Sequence, residues 1–88
     1  MQDQGAIAFR LAGNSMETER EGIKVSVKRL TSGKIEIAIH GLANRTFTYR
    51  GARKTRIGQP LIGVSWSGAT VMFYLDGELV SEQTALLN

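Results

Sequence analysis

Cysteine is missing from this 88-residue chain, which excludes a disulfide framework and any thiolate metal site. A single histidine, His40, excludes the usual multi-histidine zinc arrangements as well. The one proline, Pro60, lies outside every candidate strand, as a hydrogen-bonded ladder requires. No apolar run approaches the roughly 18–20 residues that span a bilayer as a helix. The opening MQDQGAIAFRLAG is acidic rather than basic and has no apolar core of a cleaved secretion signal. These absences lead to an expectation of cytoplasmic synthesis, no membrane partner and no cofactor, compatible with later incorporation into a particle such as a virion. The length suits one domain over residues 1–88, near the lower limit for folding without staples. Its core must come from packing alone, and an oligomer interface could add to it.

Charge is unevenly spread. The total is +3. Residues 1–22 carry four acids and two bases, and residues 59–88 carry three acids and no base. Between them, residues 23–58 hold nine bases against the single Glu36. Either the acidic ends fold beside the basic middle, or the middle forms a positive face for phosphate or an acidic partner.

The strongest structural signal is Leu61–Val80, LIGVSWSGATVMFYLDGELV. Ile62, Val64 and Trp66 alternate with small residues, Ser67-Gly68 predicts a turn, and Val71, Phe73 and Leu75 alternate with Met72, Tyr74 and Asp76. Asp76-Gly77 is a two-residue hairpin signal, since both positions accept the positive φ of a type I′ turn. That turn predicts Phe73 opposite Val80, and the preceding one predicts Val64 opposite Val71 or Phe73.

Elsewhere, Ala6–Leu11 reads as a strand, and residues 1–4 as frayed and disordered. Met16–Glu21 reads as an exposed connection or one helical turn capped by Ser15. Gly22–Leu30 and Lys34–Gly41 form a hairpin closed by Thr31-Ser32-Gly33. Its register sets Val27 against Ile37, Val25 against Ile39 and Lys28 against Glu36. Asn44–Arg50 is a further strand, Gly51–Pro60 an exposed loop, Glu78–Thr84 the last strand and Ala85–Asn88 an apolar tail. About seven short strands and no major helix predict an all-β fold, a small antiparallel β-sandwich of jelly-roll-like form. Its open edges favour self-association.

The run VSWSGATVMFYLDGELV resembles the late strands of the laminin-G and concanavalin A-like jelly-roll superfamily. There, a strand ending near an aromatic and a glycine turn is followed by a YxDG hairpin. The segment SGKIEIAIHG, from Ser32 to Gly41, is compatible with a middle strand of the same fold. Domains of that superfamily usually run well past 88 residues, so the chain would be a half-sized version. The resemblance implies a sandwich that binds carbohydrate or protein.

The candidate site residues are Arg45, Arg50, Arg53, Lys54 and Arg56, interleaved with Phe47 and Tyr49. Arginine forks bind phosphates, and exposed aromatics stack bases. The same residues suit a protein-docking patch, because arginine and aromatics are enriched at interfaces. Phe47 and Tyr49 share the face a core would take, so their burial would leave only electrostatics. Tyr74, and less so Trp66, could stack on sugar. Asp76 with Asn44 or Asn14 lacks the dense oxygen spacing that calcium needs, so no metal is expected. Ser65, His40 and Asp76 supply the residue types of a catalytic triad without a nucleophile-elbow pattern, so no enzyme is expected. The function expected is a binding or assembly module. It would dock on a protein partner, its own copies or a particle surface through the 50–59 loop and an edge strand. The alternative is a nucleic-acid binder using residues 45–56. For the docking module, charge reversal at Arg53 and Arg56 is expected to impair capture while leaving folding intact.

Overall fold

The structure, a computed structural model, describes residues 4–42, 44–53 and 58–85. Its elements are eight antiparallel strands: β1 (Gln4–Arg10), β2 (Ser15–Arg20), β3 (Ile23–Arg29), β4 (Ile35–Leu42), β5 (Arg45–Gly51), β6 (Leu61–Ser67), β7 (Thr70–Leu75) and β8 (Glu78–Thr84). They form two four-stranded sheets, ordered β1-β6-β7-β8 and β2-β3-β4-β5. The chain is therefore a small all-β sandwich, with a four-strand meander set between β1 and β6. Among the described residues no helix is long and apolar enough to cross a membrane.

Two-residue alternation builds the core. Ile23, Val25 and Val27 of β3, Ile35, Ile37 and Ile39 of β4, and Phe47 of β5 are buried. The other sheet buries Ile62, Val64 and Trp66 of β6 with Val71, Phe73 and Leu75 of β7. Where the two inner faces meet, the Tyr49 and Phe73 rings stack with centroids 6.2 Å apart. Such pairs add to area burial because the offset geometry suits the ring quadrupoles.

The β3–β4 register is the expected one, with Val27 opposite Ile37, Val25 opposite Ile39 and Lys28 opposite Glu36. Val64 lies opposite Phe73, one of the two expected alternatives, but the turn is at Gly68-Ala69 rather than the expected Ser67-Gly68, because Ser67 pairs with Thr70. Asp76 and Gly77 have φ of 55° and 85°, as a type I′ turn demands.

Four further expectations are corrected. Residues 15–20 are a strand rather than a connection or helical turn. Met16 points at the core while Glu17 and Glu19 face solvent beside Lys24, and the Glu17–Lys24 ion pair spans 3.2 Å. The turn Glu21-Gly22, at φ 52° and 84°, closes that hairpin although glutamate rarely takes the left-handed region. Gln4 is not frayed but pairs with Ser67, and residues 1–3 lie outside the described residues. Gly51 ends β5 and pairs with Ile35 rather than opening the loop. On β8 a bulge moves Ser81 opposite Phe73, with Tyr74 opposite Leu79. The extra residue, Val80, still packs on the core. A bulge inserts one unpaired residue and re-aims the strand, which shifts a register counted from turn length alone. The expected tail at Ala85–Asn88 is described only at Ala85, which is buried and donates to the Ala69 carbonyl at 2.9 Å.

A second irregularity lies between His40 and Leu42 on β4. Gly41 has φ 94°, and a Cβ there would sit 2.5 Å from the Gly22 carbonyl oxygen, so only glycine fits. The bulge turns Leu42 inward, where it is buried.

Side chains tie the open edges of the two sheets together. Arg20 Nη1 donates to the Ala6 carbonyl at 3.1 Å, linking β2 to β1. Gln83 Nε2 donates to the Thr48 carbonyl at 2.9 Å, linking β8 to β5.

Candidate functional site

Because every strand pairing is antiparallel, the connections alternate between two ends of the sandwich. Residues 11–14, 30–34, 52–53, 58–60 and 76–77 share one end, and 21–22, 44 and 68–69 the other. Backbone bonds knit the first end together. Arg29 N donates to Asn14 O at 2.8 Å, and Leu11 N donates to Pro60 O at 2.9 Å. Side chains add Arg29 Nε to Gly13 O at 3.0 Å and Arg10 Nη1 to Gln59 O at 3.2 Å.

Arg10, Arg29, Lys34, Arg50 and Arg53 all lie at this end, drawn from β1, the β3–β4 hairpin, β5 and the segment after it. Arg45 starts β5, at the other end and exposed; five residues of extended chain, about 17 Å, separate it from Arg50. The expected site is therefore split along its strand. Lys54 and Arg56 lie outside the described residues.

Two of the expected site residues are engaged with carboxylates. Arg50 Nε contacts Glu36 Oε1 at 2.6 Å, and Lys28 reaches the other carboxylate oxygen at 3.4 Å. Arg53 grips Asp76 with two bonds, Nε to Oδ2 at 2.8 Å and Nη2 to Oδ1 at 2.9 Å, while its Nη1 donates to Gly58 O at 3.0 Å. Asp76 Oδ1 also accepts the Leu61 amide at 3.2 Å, and the Asp76 amide donates back to Leu61 O at 2.8 Å. One carboxylate thus fastens the β7–β8 turn, the start of β6 and the segment following β5. The Arg53 side chain is only 10% exposed. Reversing its charge would set two carboxylates face to face, so the expectation that folding would be untouched does not fit this geometry.

The ion pairs set the protonation behaviour. The hydrogen bond from Arg50 holds the Glu36 carboxyl below its ordinary value, helped by Lys28 and opposed by burial. The Arg53 hydrogen bond does the same for Asp76, with the Leu61 amide and the Arg10 charge contributing and burial opposing. Asp76 in turn raises Arg53. A depressed carboxyl stabilises the fold fully above its unfolded pKa, and that stabilisation is lost as pH falls through the folded value. With ordinary values of 4.5 for Glu36 and 3.8 for Asp76, thermal denaturation should show a Tm that falls below about pH 4.5. The fall should be shallower in the Glu36→Gln/Asp76→Asn double variant, and an equally steep fall there would remove these two groups as its cause.

The aromatic platform is absorbed by the core. Phe47 is buried and Tyr49 is half-buried against Phe73. Trp66 is also a core residue, with an Nε1 that has no hydrogen-bond partner among the described residues. Tyr74 stands on the outer face of the other sheet, over Gly63, and its hydroxyl lies 3.5 Å from Met72 Sδ. It lines a groove of about 240 Å³ with Ala6, Ala8 and Leu61, and none of the lining residues is charged. Ser65 and His40 belong to different sheets and Asp76 to a turn, so the three triad residue types are not assembled. Asn14 and Asn44 fall at opposite ends of the sandwich. Among the described residues no group of three His, Cys, Asp or Glu side chains could hold a metal ion.

Between the β3–β4 turn and residues Ala52, Arg53 and Gly58 lies a notch of about 460 Å³, lined also by Arg29, Ser32, Gly33 and Lys34. Arg29 and Lys34 were not among the expected site residues. Strand parity was the signal that could have found them: a hairpin turn at 31–33 and a loop at 52–60 follow strands running the same way. Comparison with protein-family models, curated proteins and solved structures gives no match for this chain.

Proposed function

We propose that the chain is a non-enzymatic binding module that docks an acidic protein surface through the basic end of the sandwich. The observation that carries this reading is the convergence of Arg29 and Lys34 on one notch, with no acidic partner for either among the described residues. Loops gathered at one end of a rigid sandwich are a common place for recognition, because the sheets fix the backbone while the loop sequence is free to vary. Arginine is also enriched in protein interfaces.

Two features weigh against the alternative of single-stranded nucleic acid. Such binders pair a run of cations with aromatic side chains that stack bases, and here Phe47 and Tyr49 pack in the core. Arg50 and Arg53 are already neutralised by Glu36 and Asp76. Docking through a bare strand edge also loses support, because Arg20 and Gln83 tie edge to edge. Carbohydrate, which the jelly-roll resemblance suggested, would have to use Tyr74, whose groove is mostly apolar small residues.

The test is the affinity of a labelled glutamate-rich decapeptide and of a thymidine decanucleotide at about 50 and about 200 mM salt. The docking module binds the peptide and loses about tenfold, roughly 1.4 kcal/mol, in the Arg29→Glu/Lys34→Glu variant. Tighter oligonucleotide binding with a steep salt dependence would assign the end to nucleic acid. No binding of either would reduce it to a solvated surface.

A further inference from the structure

We infer that the notch lined by Arg29, Ser32, Lys34, Ala52 and Gly58 receives a phosphoryl group, so that the partner docked is a phosphorylated protein segment. This rests on the docking function proposed above and names the chemistry at its centre.

Charge neutralisation around the notch points to the ligand. On the neighbouring strands, outside the notch lining, Lys28 and Arg50 share Glu36. Within the lining, Arg53 has its Nε and Nη2 on Asp76 and its Nη1 on Gly58 O. Both clusters thus have their positive charge met within the chain. Arg29 and Lys34 remain, facing the same concavity without a carboxylate among the described residues. The Arg29 guanidinium is oriented by its Nε bond to Gly13 O, which leaves its two terminal nitrogens as donors. Ser32 adds a hydroxyl to the lining.

Two cations and a hydroxyl around one hollow match a single dianionic group. A phosphoserine carries about −1.5 to −2 charges and three acceptor oxygens at neutral pH. Arginine meets such a group with two parallel bonds and lysine with a point charge. A lone carboxylate would leave one of the two cations uncompensated. A polynucleotide would need positive charge to continue along its backbone over several phosphates, and among the described residues Arg50 and Arg53 are instead met by Glu36 and Asp76. Nothing lies within 4 Å of a Cβ built on Gly33 or on Gly58, so the mouth of the notch is open to a side chain of an extended segment.

The test titrates the isotope-labelled chain with three nine-residue peptides of alanine, glycine and serine. Their central residue is phosphoserine, serine or glutamate, and amide shifts are followed by NMR. The phosphopeptide should bind at least about tenfold more tightly than either of the others, with the largest shifts at residues 29 and 32–34. Lys34→Gln should lower that affinity about tenfold at unchanged Tm, since Lys34 joins none of the ion pairs among the described residues; the variant thus separates binding from folding. Equal binding of the glutamate and phosphoserine peptides would overturn the phosphoryl assignment and leave the docking function standing. So would failure of all three beside successful binding of the glutamate-rich decapeptide. Failure of the decapeptide as well would sink both. Binding that is insensitive to Lys34→Gln would overturn the location.

Discussion

Phe73→Ala lowers the folding free energy by about 3–5 kcal/mol, the range for truncating a fully buried aromatic. Phe73 has no exposed surface and sits at the centre of β7, opposite Val64 and Ser81, with the Tyr49 ring stacked against it from the other sheet. Truncation removes the ring from the junction between the two inner faces, and neither sheet can move in without breaking its own register. For a domain of this size 1 kcal/mol corresponds to roughly 4–8 °C in Tm. The variant should therefore lose about 12 °C or more, enough to leave a large unfolded fraction at 37 °C in a marginal domain. Urea denaturation followed by tryptophan fluorescence measures it directly, because Trp66 is in the same core. Phe73→Leu, which fills most of the space, should lose less than half as much. A Phe73→Ala cost below about 1 kcal/mol would mean the two sheets are not packed through this residue.

Asp76→Ala comes next, at about 3 kcal/mol. Removing the carboxylate strands the Arg53 guanidinium, 10% exposed in its side chain, and deprives the Leu61 amide of its side-chain acceptor. Values near 3–5 kcal/mol apply to fully buried pairs; the 23% exposure of Asp76 brings the pair's share down to about 2 kcal/mol. The remaining 1 kcal/mol or so is backbone strain, since alanine accepts the φ of 55° at this turn position less well than aspartate. Asp76→Asn separates the two contributions, because asparagine suits the left-handed region and lacks only the charge. Combining either change with Arg53→Met in a double-mutant cycle isolates the coupling between the two side chains. Independent, additive effects would show that the ion pair does not fasten the segment after β5, and that Arg53 is available to a partner after all.

The parts of the fold that followed from sequence are those where one local rule dominates. Strict alternation in Ile23–Val27, Ile35–Ile39 and Val71–Leu75 fixes which face is buried, and Asp76-Gly77 fixes its own turn. What escaped were elements held by less local forces. β2 is mostly polar, and its one large apolar residue, Met16, gives no period to count. It is a strand because β3 offers a complementary edge with Lys24. Glu21 takes a left-handed conformation its type disfavours, so the turn carried half its usual signal. The bulges at Gly41 and Val80 change the pairing by one residue, and turn counting cannot foresee that. The candidate site was legible only as a charge excess in residues 23–58. Which cations would be left over depended on Glu36 arriving from β4 and Asp76 from the β7–β8 turn, and Asp76 is distant in sequence from Arg53. Arg45 and Arg50 do not share one end because a β-strand is long: its two ends serve opposite ends of the molecule.

The setting of a complete meander between β1 and β6 bears on how the chain reaches this state. Strands β2 to β5 join by short turns, as do β6 to β8, so each group consists of contacts between near neighbours in sequence. By contrast, Ile7 must find Val64 across all of residues 11–60. Closing so long a loop is entropically costly before any contact repays it. The two meanders are thus expected to form early and the β1–β6 ladder late. Until that ladder forms, the inward edge of β6 stands unpaired, so the interval in which the chain is open to association with its own copies is set by β1.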